Sequence, residues 1–199
     1  MYLRARIDAL TDGVFAVAMT LLVLDVRLPE EFHPHDATEL MGALRGLVPK
    51  FVPYVISFLV LGLRWLSNIQ VRSQGENLGR EYVNWWLLYL LLATCLPFST
   101  TVVGRFAHYA PSVWLYSFNM AALAAAGYRL VVLLPDLDDD EHTLDRKVSL
   151  LLLLGTSAVC AGLSLISPAK ALWVYALNIA APHLARWFGA KRGLQVGSK

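Results

Sequence analysis

Arg6-Ile-Asp-Ala-Leu-Thr-Asp-Gly-Val-Phe-Ala-Val-Ala-Met-Thr-Leu-Leu-Val-Leu-Asp25 holds no ionisable side chain between Gly13 and Leu24, while Arg6, Asp8 and Asp12 load its N-terminal end. A helix crossing the hydrocarbon core needs about 20 predominantly apolar residues, because that core is about 30 Å thick and each residue rises about 1.5 Å. This stretch meets the requirement, and so do five others. The six spans predicted from hydropathy are residues 7–28, 47–69, 82–103, 112–134, 147–167 and 169–188. They are too long for strands, and a membrane barrel would show alternating segments of about ten residues.

Composition agrees. The 199 residues are 57% hydrophobic and 16% charged, with a mean hydropathy of +0.52; soluble domains carry about 45–50% and about 25%. The expected architecture is all-α: a polytopic membrane protein with six transmembrane helices over residues 1–190 and a short tail over 191–199. A net charge of +2 does not suggest nucleic-acid binding. Cys95 and Cys160 sit in apolar runs without ligand spacing and read as core packing.

Twelve Lys and Arg residues flank the spans on the side of the N-terminus and five on the other, which places both termini in the cytoplasm. Trp85, Trp86, Trp114, Trp173 and Trp187 fall near span ends, as interfacial anchors do. Asp8 and Asp12 ahead of the first apolar run argue against a cleaved leader. The chain has no phosphate-binding, dinucleotide-binding, zinc-protease or hydrolase motif and no convergent catalytic cluster, so no enzyme is expected.

At about 100° per residue, Leu10, Gly13, Val17, Thr20 and Leu24 share one stripe of the first helix, and Asp12 lies about 140° from Val17. One face is apolar with a single hydroxyl; the other sends a carboxylate toward neighbouring helices. Ionisable groups inside a membrane normally face protein or water. The Thr20 hydroxyl either serves the stripe or bonds its own helix backbone.

Arg6, Leu10-Thr11-Asp12 and the apolar run to Leu24 resemble the first helix of the transmembrane protein 175 family, potassium channels of bacteria and animal endolysosomes. The similarity continues through Tyr54-Val-Ile-Ser-Phe-Leu-Val-Leu-Gly-Leu-Arg-Trp65 and Leu96-Pro-Phe-Ser99, whereas the last three helices agree in length and hydropathy. The family pattern of Arg, three residues and Phe-Ser-Asp is kept at Arg6 and Asp12, with Leu10 for Phe and Thr11 for Ser. Asn68 stands where bacterial members often carry His.

The resemblance implies a homotetramer in the cell membrane, with four first helices around a central pathway and apolar collars as a hydrophobic selectivity filter. Carried onto this chain, the pore residues are Val17, Thr20 and Leu24, and the polar network seating the pore helix comprises Arg6, Thr11, Asp12, Trp65 and Asn68. Its partners would be the lipid bilayer and monovalent cations; potassium is the permeant ion, with no cofactor and no resident metal. The physical chemistry is compatible, because the chain has no TVGYG-like loop of filter carbonyls. A narrow apolar ring makes an ion shed or distort its water, which costs potassium less than sodium.

A proton-coupled secondary transporter using Asp12 and Asp25 is the alternative. Such carriers show internal repeats and helices broken near mid-membrane, whereas Pro49, Pro53 and Pro97 fall toward predicted span ends. Asp25, Glu30, Glu31, Asp36 and Glu39 form either an acidic vestibule or a solvated loop. The Asp-rich segment 135–142 fails as a calcium loop, since Glu141 occupies the glycine position and Lys147 that of the bidentate Glu. His33 and His35 share the loop after the first span and are read as exposed.

Overall fold

The structure, a computed structural model, describes residues 2–29, 31–70, 77–134 and 141–178. Its long helices are α1 (Arg4–Leu21), α2 (Ala37–Gln70), α3 (Arg80–Arg105), α4 (Ala110–Val132) and α5 (Glu141–Leu163). A 3-10 turn, Leu22–Asp25, prolongs α1, and a short α6 (Pro168–Ala171) runs into a second 3-10 turn, Leu172–Tyr175. Among the described residues five segments are long and apolar enough to cross a membrane: Arg4–Asp25, Ala37–Ile69, Arg80–Arg105, Ala110–Val132 and Thr143–Leu163. The sixth expected span opens at α6, and its second half, with Trp187, lies outside the described residues, as do residues 135–140 and the tail. Two-residue strands β1 (Tyr2–Leu3) and β2 (Asn77–Leu78) pair antiparallel, tying the start of α1 to the start of α3.

The second helix differs most from the sequence expectation, because it starts at Ala37, ten residues before the predicted span, and contains Pro49 and Pro53 in its interior. Its beginning is a capping arrangement. Asp36 Oδ1 accepts the Glu39 backbone N–H at 2.7 Å, and Glu39 Oε2 accepts the His35 N–H at 2.8 Å. The first bond satisfies an orphan donor of the first turn, and the second ties the preceding chain to it. Asp36 and Glu39 are therefore helix caps. Pro97 likewise falls inside α3; membrane bundles tolerate interior prolines because neighbouring groups satisfy the freed backbone.

The order of packing follows the chain: α1 rests on α2 and α3, α3 on α4, and α4 on α5. The innermost helix is α4. Its Ala-rich run ends at Gly127, where an added Cβ would lie 3.0 Å from Leu150 Cδ2 and 3.3 Å from Tyr89 Cε2. Lipid tails are as apolar as leucine, so helices associate in a bilayer through close packing and hydrogen bonds. Gly127 supplies that closeness between α4 and α5. Replacing it with Leu is expected to destabilise the fold by about 1–3 kcal/mol through overpacking, read as a lower unfolding midpoint in detergent, with Gly127→Ala much milder.

Several polar groups in the core are paired, whereas Ser117 Oγ has no partner among the described residues. Ser57 shares hydrogen bonds with Thr100 at 2.8 Å and Tyr116 at 2.9 Å, and Asn119 with Ser99 at 3.1 Å. Tyr175 donates to Ser157 at 3.1 Å, and Asn178 to Thr156 at 2.8 Å. Three sequence assignments change. Cys160 is buried but Cys95 is exposed. Trp86 is a buried residue, not an interfacial anchor, whereas Trp114 and Trp173 are exposed. Arg64, counted among the flanking charges, lies inside the bundle with only 8% of its surface exposed.

Candidate functional site

The α1 helix divides into two faces. Ile7, Thr11, Phe15, Ala18 and Leu22 are buried against α2 and α3, at spacings of four, four, three and four residues. That is one stripe of a helix. Leu10, Gly13, Val17, Thr20 and Leu24 form the opposite stripe, and all are exposed. Val17 is 57% and Leu24 63% exposed, so the protomer leaves this apolar face open.

Two indoles seat the helix. From α2, Trp65 Nε1–H donates to Asp12 Oδ1 at 2.9 Å; from α3, Trp86 Nε1–H donates to Thr11 Oγ1 at 2.8 Å. The Thr11 hydroxyl in turn donates a hydrogen bond to the Ile7 carbonyl at 2.8 Å. Phe15 packs on Tyr89 with ring centroids 5.9 Å apart. Consecutive residues on α1 are thus held by different helices, which fixes the rotation of α1 about its axis and the direction of the open stripe.

The five expected network residues are not one cluster. Asp12 joins Trp65 and Thr11 joins Trp86, but Asn68 Oδ1 accepts from Arg146 Nη2 at 2.6 Å. Arg6 is exposed and has no hydrogen-bond or ion-pair partner among the described residues. It falls on the open stripe, one turn before Leu10. Arg146 is a residue sequence reasoning missed, because a basic residue near a span end reads as a flanking charge. With Arg4, Asp8, Thr11, Asn68, Tyr82, Trp86 and Tyr89 it lines a cavity of about 30 Å³, room for about two waters. Nearby Arg64 donates to Ser149, while its Nε and Nη1 have no partner among the described residues.

Two further departures concern the pore stripe. Thr20 Oγ1 donates to the Val17 carbonyl at 2.8 Å, which uses the hydroxyl proton and leaves oxygen lone pairs free. From Leu22 onward the backbone is 3-10, so the periodicity that aligned Leu24 with Val17 does not continue. A 3-10 turn eclipses residues three apart, placing Leu24 over Leu21, which is also exposed. Leu21 therefore joins the open face. Its spacing of four from Val17 was the signal for it. Asp25, at the end of that turn, is bonded by Arg105 Nε at 2.9 Å.

Residues 6–97, which contain most of α1, all of α2 and the indole contacts, match the family described as "Endosomal/lysosomal potassium channel TMEM175". The chain is also similar to the crystal structure of a lysosomal potassium-selective channel TMEM175 homolog from Chamaesiphon minutus. The TM-score is 0.74 at 26% identity, over 88% of this chain and 94% of that one. The chain is similar to the TMEM175 family in its first three helices and in its fold. Among curated relatives, a potassium channel from Streptomyces collinus is 35% identical over 127 residues, 61% of this chain and 59% of that protein. The Homo sapiens endosomal/lysosomal proton channel TMEM175 is 36% identical over 85 residues, 38% of this chain and 17% of that protein. The chain thus matches less than two thirds of the length of these curated relatives.

Proposed function

We propose that residues 1–190 form the conducting unit of a potassium channel in the cell membrane, with both termini and the 191–199 tail in the cytoplasm. Four copies set their α1 helices around one pathway. A single observation carries the reading: α1 is anchored on one side by two indoles and leaves its other side, Leu10 to Leu24, apolar and uncovered. One stripe cannot enclose a pathway, and symmetric copies would. The names of the relatives favour a channel over a carrier or an enzyme.

In this reading Val17 and Leu24 form collars that strip water from an ion. Thr20, between them, turns its lone pairs inward while its O–H donates to the Val17 carbonyl. Potassium passes because its hydration is weaker than that of sodium. The test is reconstitution into liposomes with opposed potassium and sodium gradients, reading the reversal potential. Leu24→Ala is expected to lower the potassium-to-sodium permeability ratio about fivefold, about 1 kcal/mol of lost discrimination. Thr20→Ala should lower it about threefold. Ohmic unitary currents are expected; saturating flux that requires a proton gradient would establish the carrier using Asp12 and Asp25 instead. An unchanged ratio in both variants would remove the collars from selection.

A further inference from the structure

The α1 helix ends in a four-residue 3-10 turn whose last residue, Asp25, carries a carboxylate at the negative end of the helix dipole. A four-residue 3-10 turn is a frequent ending of an α-helix, but an anion is disfavoured at a helix C-terminus. The compensating group comes from another helix. Arg105, in the last turn of α3, directs Nε at 2.9 Å and Nη2 at 2.5 Å to Asp25 Oδ1. The Asp25 side chain is 12% exposed and that of Arg105 47% exposed. The turn also packs against α2 and α3.

The consequence falls on the residue before Asp25. Each 3-10 residue advances about 120° against about 100° in an α-helix, so the three residues Leu22 to Leu24 rotate Leu24 by about 60° from a continued α-helix. We infer that the Arg105–Asp25 ion pair is a positioning device for the outer collar: it holds the 3-10 turn wound and so sets the direction of the Leu24 side chain. This rests on the channel reading, in which Leu24 faces the pathway. Arg105 touches no ion; it acts through Asp25 on Leu24. Without the pair the turn relaxes toward α-helix and Leu24 swings off Leu21 by about 60°, which changes the collar that the ion meets.

The experiment measures potassium-to-sodium permeability ratios of the full chain in liposomes for wild type, Leu24→Ala, Arg105→Gln, Asp25→Asn and Arg105→Lys. Arg129→Gln, which breaks the α3–α4 ion pair with Glu81 at 3.2 Å, serves as a control. Arg105→Gln and Asp25→Asn are expected to lower the ratio about three- to fivefold. Arg105→Lys, which keeps the charge, should stay within about twofold of wild type, and Arg129→Gln should match it. A wild-type ratio in Arg105→Gln, alongside a lowered one in Leu24→Ala, would overturn the positioning role and leave the channel reading intact. So would equal losses in Arg105→Lys and Arg105→Gln, or in Arg129→Gln and Arg105→Gln. A silent wild type, or a Leu24→Ala ratio equal to wild type, would overturn the collar reading and this inference with it.

Discussion

Tyr116→Ala is expected to cost about 3–5 kcal/mol of stability, the usual range for emptying a large aromatic site in a packed core. The Tyr116 side chain is fully buried, shares a hydrogen bond with Ser57 at 2.9 Å and meets the Tyr175 ring edge-on at 5.4 Å. It therefore joins α4 to α2 and to the turn after α6. In a bilayer the loss is mainly one of contact, because lipid provides little hydrophobic drive between helices. Alanine also strips Ser57 of one partner and leaves it Thr100. The readout is the thermal midpoint of detergent-solubilised protein, with Tyr116→Phe separating the hydroxyl, about 1 kcal/mol, from the ring. A Tyr116→Ala midpoint equal to that of wild type would show that the bundle does not depend on this junction.

Asp12→Ala is expected to lower the yield of assembled tetramer far more than it alters ion selectivity. The substitution removes the acceptor of the Trp65 indole N–H at 2.9 Å and frees α1 to rotate. A lost hydrogen bond costs about 1 kcal/mol; repeated in each of four proposed protomers it sums to about 4 kcal/mol for the assembly. The cost is below that of a buried charge pair, because Asp12 is exposed in the protomer. Size-exclusion profiles and reversal potentials are the measurements. Asp12→Asn, which keeps an oxygen acceptor, should recover most of the yield. Tetramer and currents at wild-type level in Asp12→Ala would remove Asp12 from the seating of the helix.

Much of this was legible in the chain. A long apolar run with charges at one end reports a spanning helix, because backbone rise and bilayer thickness leave little choice. The split of α1 into a packed and an open stripe follows from the positions of its small and apolar residues, and Val17 and Thr20 fall on the open side. The start of α2 was missed although the Asp36-Ala-Thr-Glu39 pattern is a capping signature, because hydropathy weighs a capped polar turn like a loop. Trp86 was misplaced for a related reason: an indole near a span end serves equally at an interface or inside, and only the neighbouring Thr11 decides.

The helical character of the spanning runs and the two-faced character of α1 were determined by sequence alone, since each depends on local periodicity and on water leaving hydrocarbon. The tertiary structure decided which donor meets which acceptor: Trp65 with Asp12, Trp86 with Thr11, Arg146 with Asn68 and Arg105 with Asp25. It also decided the 3-10 winding beneath Leu24. These are contacts between residues 53 to 80 positions apart, and helix periodicity carries no information about which faces of distant helices meet.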